Sequence, residues 1–210
     1  MKKILFAILL TVFLSSCSHT TIKTESTTEK EPTSQKTENK YMENKKVLFV
    51  VVPNFRDGEL VITENVLTAK GALIYYASLQ KGDIVGNEGT TVEAEYAVEE
   101  VDPSDFDVVI FVGGPGMTRE LDNIELQNLS KKFYESGKLT TAICIAPAMM
   151  AKAGLLTGKK ATVFPTGKGF LIENGVNYTG NTVEKDGSII TADGPESSTA
   201  FANEIINYFK

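Results

Sequence analysis

Three places in the chain combine residue types and spacing that could carry covalent chemistry. The first is Cys144, in Thr140-Thr141-Ala142-Ile143-Cys144-Ile145-Ala146-Pro147-Ala148, where an apolar run passes straight into a helix-favouring segment. A side chain at such a strand-to-helix elbow is expected to be exposed, and a helix N-terminus stabilises a thiolate and lowers the thiol pKa. Pro147 suits a first helical turn, where its missing N–H costs nothing. The competing reading is a buried structural cysteine, a common fate of free cysteine. Position at the elbow is what argues for reactivity.

The second place is Gly113-Gly114-Pro115-Gly116, directly after an apolar run. Glycines there allow close backbone approach and leave N–H groups available. Gly114 and the N–H of Ile145 could then form an oxyanion-stabilising pair beside Cys144. A phosphate cradle is the rival, but the segment lacks the lysine and spacing of a P-loop. A plain tight turn also fits the four residues taken alone. The third place is Glu59, in Pro53-Asn54-Phe55-Arg56-Asp57-Gly58-Glu59-Leu60. A carboxylate in a first helical turn is favoured by the helix dipole, and Asp57 could serve as the N-cap, leaving Glu59 for a second role. If the two meet, a protonated Glu59 would donate to the Cys144 thiolate and tune it.

The N-terminus carries different chemistry. Lys2 and Lys3 precede the apolar run Ile4–Leu14, which is too short to span a bilayer. Leu14-Ser15-Ser16-Cys17 then matches a bacterial lipobox, so Cys17 is expected to take lipid and become the new N-terminus. Residues 1–17 read as a lipoprotein signal peptide. Residues 18–45 are rich in Ser, Thr, Glu and Lys, which cannot bury enough surface to offset ordering, and read as a disordered tether. The chain's one histidine, His19, falls in this tether. Residues 46–210 therefore form the folded domain, and it contains no histidine.

These residues need a scaffold, and the patterning describes one. The continuous β-branched run Lys45–Pro53 reads as a strand buried on both faces, Asp107–Val112 as another buried strand, and Leu139–Ile143 as a further strand. Asp57–Lys70, Thr118–Ser136, Pro147–Ala153 and a last segment from Gly194-Pro195 to Phe209 read as helices. Further strands are expected at 72–79, 161–164, 182–184 and 188–192, with a β excursion over 83–101. Strands alternating with helices predict an α/β fold with a mostly parallel, doubly wound sheet. In that fold, functional residues sit beyond the carboxyl ends of the strands.

Composition bounds the partners. The 210 residues are 42% hydrophobic and 23% charged, ordinary for a globular chain. A formal net charge of −6 argues against nucleic acid as the main partner. Two cysteines make neither a disulfide framework nor a zinc site, and no EF-hand pattern is present, so no metal or organic cofactor is implied.

Five segments in this order resemble the ThiJ/PfpI superfamily: the early Glu59, the Gly113–Gly116 turn, the Cys144 elbow, Ala153-Gly154-Leu155-Leu156-x-Gly158-Lys159-x-Ala161-Thr162, and Asp186-Gly187-x-Ile189-Ile190-Thr191-Ala192-x-Gly194-Pro195. The resemblance implies a flavodoxin-like sandwich, usually a homodimer, with Cys144 reactive and Glu59 its carboxyl partner. This sequence departs from that family's pattern in two places. The protease-like branch has a histidine directly after the cysteine, where this chain has Ile145, and the deglycase branch has one at a position matching Phe164. A peptidase triad would lack its base. The expected activity is that of a membrane-anchored, extracytoplasmic thiol enzyme of the glyoxalase or deglycase type acting on small carbonyls. The alternatives are an oxidative-stress sensor or chaperone-like protein working through Cys144 oxidation, and a silent binding module.

Overall fold

A computed structural model describes residues 41–210. The expectations for the signal peptide, Cys17 and His19 lie outside the described residues. In chain order the elements are β1 (Lys46–Val50), α1 (Asp57–Thr68), β2 (Leu73–Ser78), β3 (Gly82–Val85), β4 (Thr91–Ala94), β5 (Tyr96–Ala97), β6 (Val108–Phe111) and α2 (Pro115–Arg119). There follow α3 (Ile124–Glu135), β7 (Leu139–Ile143), α4 (Ala146–Lys152), β8 (Lys160–Ala161), α5 (Lys168–Glu173), β9 (Asn177–Tyr178), β10 (Val183–Asp186), β11 (Ile189–Ala192) and α6 (Ser198–Tyr208).

The main sheet has the order β10-β11-β7-β6-β1-β2-β5 and is parallel except for β10, which hairpins back on β11. β3 pairs antiparallel with β4 as a separate hairpin, which is the excursion expected over 83–101. The central strands are buried because their runs are apolar on both faces: Val47–Val52, Val108–Val112 and Ile189–Ile190 are all 5% exposed or less. From β1 the chain winds outward to β2, then returns to β6 on the other side of β1 and winds the opposite way to β7. Right-handed crossovers in opposite directions place α1 and α3 on opposite faces. α6 packs on the α1 side against α1 itself. The result is a three-layer α/β/α sandwich with its switch point between the ends of β1 and β6, where such sheets bind ligands.

The chain departs from the sequence expectation in informative places. The helix expected over Thr118–Ser136 is two helices. Asn123 interrupts it, its side-chain oxygen accepting the N–H groups of Glu125 at 3.0 Å and Leu126 at 3.2 Å. Residues 41–44 fall within the expected tether, yet they form a turn. Met42 is fully buried, and its N–H bonds Lys70 O at 3.1 Å. The ordered chain thus begins before Lys46. The strand expected at 161–164 shrinks to the two-residue β8, paired with β9. The last helix opens with a single 3₁₀ turn, Pro195–Ser197, before α6. Asn123→Ala removes the cap of α3 and should cost about 1 kcal/mol; urea unfolding of the variant measures it.

Candidate active site

The switch point is closed by close backbone packing between the β1–α1 and β6–α2 loops. Arg56 N–H donates to Gly113 O at 3.1 Å, and Gly116 N–H donates to Asn54 O at 3.0 Å. The glycines are needed for this approach. A Cβ on Gly114, whose φ is 110°, would lie 2.5 Å from Arg56 N, and one on Gly116 would strike Pro53 O. One on Gly113 would sit 2.6 Å from Cys144 Cβ and 2.9 Å from Glu59 Oε2. Gly113 is therefore the contact through which all three segments meet.

Glu59 lies in the first turn of α1, but it points inward and is fully buried. Its Oε2 accepts the Gly113 N–H at 3.0 Å, and its carboxyl hydrogen-bonds the Cys144 side chain. Oε1 has no partner among the described residues. Asp57 is not the N-cap expected. Arg56 holds that position, and Asp57 instead accepts the N–H groups of Glu88 at 2.8 Å and Thr90 at 2.7 Å. The turn after β3 is thereby tied to the start of α1. Burial pulls the Asp57 carboxyl up, but these N–H donors hold it below its ordinary value.

Cys144 follows β7 with a φ of 62°, a left-handed conformation unusual for a side chain-bearing residue. Such a conformation costs roughly 1–3 kcal/mol and persists only when its surroundings impose it. Here Cys144 N–H donates to Ala192 O at 2.9 Å, and Cys144 O accepts the Phe164 N–H at 2.8 Å. The end of β11 and the loop after β8 thus clamp the elbow. The backbone N–H groups of Gly114 and Ile145 point at the sulfur. The residues singled out from sequence, Cys144, Glu59, Gly114 and Ile145, thus converge on one point. Cys17 lies outside the described residues.

The electrostatics differ from the sequence expectation. The thiol was expected to be exposed and acidified by the helix start, but Cys144 is only 8% exposed. Burial pushes its pKa up, and the negative charge of Glu59 pushes it further. The N–H groups of Ile145 and Gly114 pull the other way without winning. Burial also raises Glu59, to about 7, against the Cys144 and Gly113 hydrogen bonds and the nearby Arg56 charge. The pair therefore loses its first proton near neutrality, and the resting state is a thiol beside a carboxyl poised to accept its proton.

Above Cys144 opens a cavity of about 440 Å³, walled by Gly114, Ile145, Phe164 and Pro195 among others. Phe164, at 37% exposed, stands at its mouth. Sequence reasoning did not find the wall residues Thr118, Arg119 and Thr166, which gather only through the tertiary fold. Among the described residues no group of His, Cys, Asp and Glu could hold a metal ion, and no helix is long and apolar enough to cross a membrane.

Comparison with known proteins places this geometry. Residues 45–208 match the DJ-1/PfpI family model, and residues 1–18 match a prokaryotic membrane lipoprotein lipid attachment site. An uncharacterized protein of Methanocaldococcus jannaschii is 37% identical over 79% of this chain and 82% of its own length. A protein of Pyrococcus horikoshii named a deglycase is 30% identical over 79% of this chain and 99% of its own. The crystal structure of a ThiJ/PfpI domain protein from Brachyspira murdochii superposes with a TM-score of 0.76 at 28% identity, covering 79% of this chain and 96% of that one.

A raised carboxyl has a stability signature. Below pH 4.5, the unperturbed value, both folded and unfolded chains hold the Glu59 proton. Between 4.5 and about 7 the unfolded chain releases it while the folded chain keeps it, so stability falls as pH rises and levels off above about 7. At ~1.4 kcal/mol per pKa unit the full loss is about 3.5 kcal/mol. Urea unfolding at pH 5 and pH 8 should show this loss in wild type and a much flatter profile in Glu59→Gln.

Proposed function

We propose that this chain, which belongs to the DJ-1/PfpI family, is a lipid-anchored thiol enzyme of the deglycase or glyoxalase type, acting on small reactive carbonyls or their adducts. The observation that carries the reading is the strained Cys144, held beside a carboxyl that titrates near neutrality, at the floor of a cavity. A strained elbow held in place by backbone bonds from two other segments supports a site kept for its chemistry. The deglycase name of the Pyrococcus horikoshii relative supports the same class.

In the proposed step the Cys144 thiol adds across an aldehyde. The S–C bond forms, the π pair moves to oxygen, and the thiol proton passes through Glu59 to that oxygen, giving a hemithioacetal. No redox change occurs. The N–H groups of Gly114 and Ile145, which already face the sulfur, are placed to stabilise the developing oxyanion. For methylglyoxal, moving hydrogen from the aldehyde carbon to the ketone carbon gives a thioester, and water releases lactate and restores the thiol.

A peptidase mechanism lacks its base, because residues 41–210 contain no histidine and Phe164 and Ile145 stand at the relevant positions. The anchor is proposed to be a lipid on Cys17, holding the domain on the extracytoplasmic side. A homodimer is also proposed.

Lactate production from methylglyoxal should vanish in Cys144→Ala; equal rates would overturn the enzyme reading. The wild-type rate should rise with pH through about 7, where Glu59 ionises, and Glu59→Gln should lose that inflection. Metabolic labelling with a fatty-acid probe should mark the full chain and be lost in Cys17→Ser.

A further inference from the structure

Of the 21 lysines and arginines in the chain, only two are arginine, Arg56 and Arg119. They come from different segments, the entry to α1 and the end of α2, yet both line the cavity over Cys144. No carboxylate lines it; Glu59 lies beneath the sulfur, outside the wall. The remaining lining is backbone, threonine and apolar side chain. In a chain of net charge −6, this is a local reversal of sign.

The two arginines differ in what they have available. Arg56 is paired with Glu88 at 2.8 Å at the rim. Arg119 is exposed, and among the described residues no hydrogen bond or ion pair engages it. A lysine would supply the same charge. Arginine adds a planar fork that grips carboxylate or phosphate oxygens through two parallel hydrogen bonds.

We propose that the cavity selects electrophiles bearing an oxyanion group, carboxylate or phosphate, close to the reactive carbonyl, with Arg119 gripping that group and Arg56 adding positive potential. The inference rests on the reading of Cys144 as nucleophile and names its substrate class. The anionic group is not consumed. It fixes the carbonyl over the sulfur while the thiol adds as described above. A volume of about 440 Å³ suits a small molecule of this kind.

Alkylation of Cys144 by iodoacetate and by iodoacetamide, reagents differing in one negative charge, tests this on the full chain. Peptide mass reads Cys144 separately from Cys17. The iodoacetate-to-iodoacetamide rate ratio should exceed that of a free thiol by about tenfold and fall by a similar factor in Arg119→Gln, with partial rescue in Arg119→Lys. Lys132→Gln removes the same charge from the exposed face of α3 and should leave the ratio unchanged. A wild-type ratio equal to that of a free thiol, or an equal fall in Arg119→Gln and Lys132→Gln, overturns the selectivity and leaves the nucleophile standing. No alkylation by either reagent overturns the nucleophile reading and the selectivity with it. Protection against iodoacetamide separates the anions. Glyoxylate protecting at lower concentration than methylglyoxal assigns a carboxylate, and glyceraldehyde 3-phosphate doing so assigns a phosphate. Neither protecting better than methylglyoxal overturns the proposal.

Discussion

A carboxyl taken out of water is the constraint around which the rest of the site is arranged. Glu59 occupies a helical turn where an acidic side chain would ordinarily face solvent, and instead it is turned wholly inward. Burying a carboxylate is costly unless it is hydrogen-bonded or holds its proton. Here a backbone N–H and a thiol meet it, and the remaining cost appears as a raised pKa. Gly113 then has to be glycine, since any side chain would overlap both the carboxyl and Cys144. The loops on either side of the switch point have to lie close enough for their backbones to bond each other. One buried acid thus dictates residue choice on three separate segments.

The elbow depends on the same arrangement from the other direction. The left-handed backbone at Cys144 is held by two segments that come later in the chain, Ala192 at the end of β11 and Phe164 in the loop after β8. Neither clamp uses a side chain. The geometry therefore tolerates Phe164 where the resemblance leads one to expect histidine, because that residue's backbone N–H is what the elbow requires. The chemical identity of the cavity mouth can change while the nucleophile's position stays fixed.

Much of this was legible in sequence. The β1 and β6 runs are apolar without alternation, and that points to a sheet covered on both faces. The ordered motifs led to Cys144, Glu59, Gly114 and Ile145, which the structure brings together. What stayed illegible depends on tertiary context. The two-residue strands β8 and β9 exist only because they meet, and α5 is too short to show a period. The sign of the thiol shift is illegible there because a sequence displays the helix start that acidifies a cysteine but not the desolvation that opposes it. Asp57 looked like a cap because its partners, Glu88 and Thr90, are far along the chain. Asn123 sits inside an apparently continuous helical period, and only its side-chain hydrogen bonds mark the break.

The buried turn at Met42 has a directional consequence. β1 starts just after this turn, and in a parallel sheet the start of one strand lies with the starts of its neighbours. Cys144, Gly113 and Glu59 all follow strand finishes. The polypeptide consequently enters the sandwich at one pole and presents its cavity at the other. The chain upstream of Met42 therefore joins the sandwich at the pole opposite the reactive thiol.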